Sequence, residues 1–259
     1  MIKLLKEIRL RLLSTILILF FSGVTFAAGN SNQNMPKHKW SFSGITGTFD
    51  KASIQRGYKV YREVCSGCHS MDLLYYRDLI DIGFSEDQVK AIASDYTVVD
   101  GPNDEGEMFE RSAKPADKFV SPYTNEQEAR YSNNGSYPPD LSVIVKARKN
   151  GADYLYNLLL GYSDPPNDFE LSEGMYYNKW YAGYQIAMSK PLDDEYVDYD
   201  DGTVNTLPQL AEDVVTFLAW SAEPELEERK NIGVKVILFF LITGFLFYLM
   251  KKRLWKDID

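Results

Sequence analysis

Cysteine and histidine are the scarcest reactive residues here: 259 residues contain two of each. One disulfide is the most that can form, and a structural zinc site built on the two thiols and His38 would need a fourth ligand. Positive charge is also short, with 28 Lys and Arg against 37 Asp and Glu for a net charge of -9. A chain this acidic is a poor ligand for nucleic acid and a better one for a basic protein. There is no internal repeat and no low-complexity tract, and long apolar runs number only two, one at each end.

The first run lies behind Lys3, Lys6, Arg9 and Arg11, spans Leu12 to Phe21, and closes on small residues at Thr25 to Gly29. This is the layout of a secretory signal peptide. Cleavage after Ala27 puts Thr25 and Ala27 at the small positions, whereas cleavage after Ala28 puts bulky Phe26 there. Residues 1–27 are therefore expected to be a signal peptide; an uncleaved anchor is the alternative, but the run is shorter than the ~20 residues a span needs. The second run, Val234 to Met250, contains one charge, Lys235. With Ile232 and Gly233 it reaches ~19 residues or ~28 Å, enough to cross a bilayer core, and Lys235 can snorkel to the interface. Lys251, Lys252, Arg253 and Lys256 follow it, and the basic side of a span stays in the cytoplasm. The expected layout is an exported domain over 28–230, an anchor over 231–250 and a cytoplasmic tail over 251–259.

Both cysteines fall in one motif, Cys65-Ser66-Gly67-Cys68-His69. A disulfide would leave the adjacent histidine unexplained, and a zinc site using His38 is awkward in geometry. The spacing is that of c-type haem attachment, in which two thioethers fix the porphyrin edge to one turn of chain and the next residue turns its imidazole to the iron. The expected cofactor is one haem c, bound through Cys65 and Cys68 with His69 as an iron ligand. Asp50 can cap a helix through Ile54, Tyr58, Tyr61 and Val64 that delivers Cys65 at its end.

The second axial ligand has no local signature. His38 lies in a polar, Asn-rich stretch. A methionine thioether is the usual partner in cytochromes c, and Met35, Met71, Met108, Met175 and Met188 are available. Met71 is too close to His69 to reach the opposite haem face, and Met108 lies in an acidic stretch. Met188, in an apolar segment before Pro191, stands only narrowly ahead of Met175, because a lone Met in such a segment is commonly core filling.

Further runs carry a resemblance. Arg56-Gly57 through Tyr61, Cys65 to Asp72, Asp100-Gly101-Pro102-Asn103, Asn133-Asn134-Gly135, Pro138-Pro139-Asp140-Leu141, Ala147-Arg148, Pro165-Pro166, Ile186 to Met188, and Asp213 to Pro224 with the anchor resemble the cytochrome c1 family. These are the haem subunits of ubiquinol:cytochrome c oxidoreductase, the cytochrome bc1 complex. The resemblance implies that Met188 is the axial ligand and that Arg148 pairs with a haem propionate, as a planar guanidinium meets a buried carboxylate in a bidentate fork; otherwise Arg148 reads equally as a surface residue beside Lys146 and Lys149. It also implies that Asn134, Pro139 and Tyr154 line the haem pocket. Two departures stand out. Ser189-Lys190-Pro191 carries less proline than relatives usually have there, so the ligand loop is expected to be less rigid, and there is no additional cysteine pair.

The fold expected is mainly α, a cytochrome c-like haem domain with long loops plus one C-terminal transmembrane helix. Ser85 with Gln88 reads as a capping box opening a helix to about Ser94, Ala152 to Leu160 as a helix ended by Gly161, and Pro208 as the first turn of a helix to Ser221. Residues 97–123, 131–140 and 163–184 read as ordered loops. By the resemblance, the partners are a cytochrome b subunit, a Rieske iron–sulfur protein and a cytochrome c acceptor in a dimeric complex at the inner membrane, with the haem domain in the periplasm. The chain is then an electron carrier within an enzyme. A free-standing tethered carrier or the haem subunit of a terminal oxidase is the alternative, and a haem sensor with a labile Met188 a more distant one. The acidic run Asp193, Asp194, Glu195, Asp198, Asp200 and Asp201 could steer a basic acceptor or be an ordinary solvated loop.

Overall fold

The computed structural model describes residues 35–256; the signal-peptide reading lies outside the described residues, as do positions 257–259 of the tail. Helix α1, Lys51–Val60, begins where the Asp50 carboxylate accepts the Ala52 N–H. It buries Ser53, Ile54, Gly57, Tyr58 and Val60, one face at helical spacing. Instead of ending there, the chain widens into a π-helical turn, Tyr61–Cys65. A 3-10 turn, Tyr76–Ile80, then leads to α2, Glu86–Ser94. Its Ser85–Gln88 capping box is formed in both directions, with bonds of 3.2 and 2.8 Å.

Part of the first expected loop is instead an antiparallel hairpin, β1 Thr97–Asp100 with β2 Phe109–Ser112, in register Thr97↔Ser112. These strands are mostly exposed and short, so they lack the alternation that reveals a strand. Arg111 holds the hairpin by bonding the carboxylates of Asp100 and Asp117. Helix α3, Glu126–Ser132, overlaps the second expected loop and is capped by Asn125. Helix α4, Gly151–Leu160, ends at Gly161 as expected. The third expected loop contains β3 Tyr176–Tyr177 paired with β4 Gln185–Ile186.

Helix α5, Leu207–Ala222, buries twelve of its sixteen residues, including Leu210, Val214, Phe217 and Trp220. It crosses α1 at Gly57, where an added Cβ would come within 2.0 Å of the Asp213 carbonyl oxygen. Only glycine permits that approach. Phe217 fills the space on either side, its ring centroid 5.6 Å from Tyr58 and 5.7 Å from Tyr61. The last helix, α6, runs Leu226–Leu254. It exceeds the expected 231–250 at both ends because charged residues, Glu227 to Lys230 and Lys251 to Arg253, continue the helix past its apolar stretch. Within α6 the structure buries only Leu226, and the helix is long and apolar enough to cross a membrane. Its first turns are tied to the loop before α1: Phe49 N–H donates to Glu227 at 2.7 Å, and Lys230 Nζ donates to the carbonyls of Phe42 and Gly47 at 2.6 and 2.9 Å.

Candidate functional site

The π-helical turn delivers the motif. Ser66 N–H reaches back to the Tyr61 carbonyl at 2.8 Å, after which Cys68 and His69 N–H both donate to the Cys65 carbonyl, at 3.1 and 2.9 Å. Cys65, Cys68 and His69 therefore occupy one tight turn. The Tyr61 hydroxyl closes it by donating to the His69 carbonyl at 3.1 Å. Both cysteines are unpaired, Cys65 half-buried and Cys68 exposed. Burial pushes the Cys65 thiol up to about 12, with nearby Cys68 adding to the effect.

His69 is oriented by the backbone of a distant segment. Its Nδ1 lies 2.8 Å from the Pro139 carbonyl oxygen, which can only accept, so the ring proton is on Nδ1 and the Nε2 lone pair is free for a metal. Burial lowers the His69 pKa, against smaller opposing effects of the Pro139 bond and Asp140, which favours the neutral, ligating form. The Pro139 segment is stitched in place from both sides. The Asp140 carboxylate accepts Ser70 Oγ at 2.9 Å, Asp72 N–H at 2.7 Å and Ser142 N–H at 2.8 Å, and Leu141 N–H donates to the Ser70 carbonyl at 2.9 Å. Ser142 is fully buried, and its carbonyl accepts Ser221 Oγ of α5 at 2.9 Å. The donor set thus fits a c-type haem: two thiols in one turn and an adjacent imidazole held in the ligating tautomer.

Among the axial candidates, Met71 is fully buried in the core and Met108 is 61% exposed on the hairpin. Met188 is half-buried directly after β4, and its carbonyl accepts the Tyr162 hydroxyl at 3.1 Å. Met35 and Met175 are also half-buried. His38 lies in a different cluster: its ring is 4.5 Å from Trp40 and 4.6 Å from Tyr156, with Nε2 3.5 Å from Glu212. Among the described residues no group of three His, Cys, Asp or Glu could hold a metal ion, so the zinc alternative is not assembled.

Arg148 is exposed, and its only hydrogen bond among the described residues is to the carbonyl of neighbouring Ala147 at 3.2 Å. Among the described residues no carboxylate pairs with it. Its charge is felt at Tyr154 on α4, whose phenol is raised by burial and by Tyr181 and lowered by Arg148. Asn134 is exposed and takes the left-handed conformation, φ 51°, just past α3. The acidic run is largely committed internally: Asp193 pairs with Lys190, Asp194 accepts the first N–H of α5 from Leu207 at 2.7 Å, Asp200 meets Lys59 at 2.8 Å and Asp201 meets Arg56 at 2.9 Å. Three residues of this site had no role assigned by the sequence: Tyr61, Tyr162 and Asp140 act through backbone atoms or on distant segments, which spacing does not reveal.

The Cytochrome C1 family matches residues 40–258. The chain is 52% identical over 208 residues to "Cytochrome c1 1, heme protein, mitochondrial" of Arabidopsis thaliana, covering 80% of this chain and 67% of that protein. It is 39% identical over 259 residues to "Cytochrome c1" of Rhodospirillum rubrum, covering 92% and 95%. It is also 45% identical over 224 residues to "Cytochrome b-c1 complex catalytic subunit, mitochondrial" of Candida albicans, covering 86% and 78%.

Proposed function

The chain belongs to the cytochrome c1 family, and we propose that it is the membrane-anchored electron carrier of a cytochrome bc1 complex. The observation that carries this reading is the Cys65–His69 turn with its imidazole proton held on Nδ1 by Pro139. Haem c supplies one-electron exchange at its iron. Cys65 and Cys68 would hold it through thioethers, and His69 Nε2 and the Met188 sulfur would ligate its iron. With His69 and Met188 both given to the iron, the group would serve electron transfer, so the chain carries electrons while the enzyme activity belongs to the complex. Arg148, without an acidic partner among the described residues, would pair with a propionate, and Asn134, Pro139 and Tyr154 would line the pocket.

The subunit receives its electron from the Rieske iron–sulfur protein and passes it to a cytochrome c. Residues 1–27 direct export, 28–230 form the periplasmic domain, 231–250 span the inner membrane beside cytochrome b, and 251–259 stay in the cytoplasm. The apolar stretch of α6 and the cations at its end support this topology. The complex is dimeric, as the family resemblance implies.

Purification of the complex with a reduced-minus-oxidised spectrum tests the reading. Copurification with a b-type cytochrome and an iron–sulfur protein is expected; a c-type haem protein that purifies alone, or with oxidase subunits, would point to the free carrier or the terminal oxidase instead.

A further inference from the structure

Ser189-Lys190-Pro191 has little proline to stiffen the segment that carries Met188, yet the chain leading into that segment is braced in another way. Strand β4 ends two residues before Met188, and Ile186 pairs with Tyr176 across the hairpin. The hairpin is nailed to the end of α4 by Asn178, whose side chain is wholly buried. Its Nδ2 donates to the Leu158 carbonyl at 2.8 Å and its Oδ1 accepts Trp180 N–H at 3.0 Å. Its backbone N–H donates to Tyr184 at 2.9 Å, and Lys179 N–H donates to Gly161 at 2.9 Å. Gly161 has no room for a side chain, since an added Cβ would lie 2.7 Å from both Asn178 Oδ1 and Trp180 Cδ1.

Tyr162 completes the brace. It forms a β-bridge with Asn178 and sends its hydroxyl to the Met188 carbonyl at 3.1 Å. The bond fixes the backbone from which the Met188 side chain departs, while α4, the other end of the brace, carries Tyr154.

We propose that Tyr162 and Asn178 are positioning residues that hold Met188 in place as the axial thioether. This rests on the reading of Met188 as the second ligand. A thioether is a weak iron ligand whose competitiveness depends on being held close, so a freed carbonyl shifts the balance toward external ligands. The loss of one such hydrogen bond corresponds to roughly a two- to tenfold change in an equilibrium.

The test is imidazole titration of the oxidised, membrane-bound complex, followed through the thioether-to-iron charge-transfer band in the red. Tyr162→Phe is expected to raise the apparent imidazole affinity by roughly two- to tenfold, and Asn178→Ser to move it in the same direction. Tyr177→Phe, on the same hairpin but with no bond to Met188, is expected to leave it unchanged. Met188→Leu separates the two levels of the argument: if it keeps the band, the assignment of the ligand is wrong. If it abolishes the band but neither Tyr162→Phe nor Asn178→Ser changes the affinity, the positioning role is wrong. An equal rise in Tyr177→Phe would overturn it as well. So would loss of covalent haem from both variants, because a brace for the sixth ligand leaves attachment at Cys65 and Cys68 intact.

Discussion

Arg56 grips the Asp213 carboxylate with two nitrogens, Nε 2.9 Å from Oδ2 and Nη2 3.0 Å from Oδ1. Asp213 is wholly buried where α5 crosses α1, and its remaining capacity is filled by Ser53 Oγ at 2.6 Å and Gln209 Nε2 at 3.1 Å. The same guanidinium reaches Asp201 at 2.9 Å. One cation thereby ties together the helix that leads to the cysteines, the longest core helix and the chain beyond Met188.

Removing Asp213 leaves the mostly buried Arg56 with only the half-exposed Asp201 as partner, and breaking a buried pair costs about 3–5 kcal/mol. Asp213→Ala is therefore expected to lower the unfolding free energy of the complex-free haem domain by that order. Urea denaturation monitored by tryptophan fluorescence reads it directly. A loss below about 1 kcal/mol would mean that the fork behaves like an exposed ion pair.

Acid stability follows from Asp117. The Arg111 guanidinium, bonded to it at 2.6 and 2.9 Å, holds its carboxyl down at about 2, against about 3.9 in an unfolded chain. A depressed carboxylate contributes its stability in full above the unfolded value and loses it as pH falls through the folded value. The gap in thermal midpoint between the native chain and Asp117→Asn should be constant above about pH 5 and close between about pH 4 and 2. A gap that widened toward acid would contradict the assignment.

For the acidic run, internal commitment weakens the case for steering. Asp194 serves as the cap of α5 through Leu207 N–H, and Asp193, Asp200 and Asp201 are each offset by a cation. Asp194→Asn or Asp194→Ala is expected to cost about 1 kcal/mol, as for a lost helix cap. It should leave the salt dependence of cytochrome c reduction nearly unchanged. A flattened salt dependence with stability intact would restore the steering role.

The anchor can be separated from the domain at a defined place. Lys230 and Glu227 bond the loop over 42–49, whereas the helix beyond them has no buried residue. A chain ended after Asn231 is expected to be soluble and to keep the visible spectrum of the full protein. Ending it after Glu225 should lower the thermal midpoint further, since both ties are lost. Equal midpoints for the two truncations would show that the ties contribute nothing.

The helices other than α3 were legible because their signals are local. Asp50, Ser85 with Gln88, Gly161 and Pro208 each mark an end within one turn of chain. The two hairpins were not, because β3 and β4 have two residues each and β1 and β2 face solvent on most positions. Cys65, Cys68 and His69 declare themselves by spacing. Pro139 was expected only as a pocket residue by resemblance, and its contact with His69 runs through a carbonyl that any residue would possess. The Arg56–Asp213 fork joins positions 157 residues apart, a pairing that no local pattern encodes.

Covalent attachment is the central claim, and the mass of the denatured polypeptide tests it most directly. Purified from cells with active haem-attachment machinery and extracted with acidified organic solvent, the chain is predicted to retain one haem, and Cys65→Ala with Cys68→Ala to retain none. A native polypeptide that gave up all its porphyrin to the solvent would contradict the account.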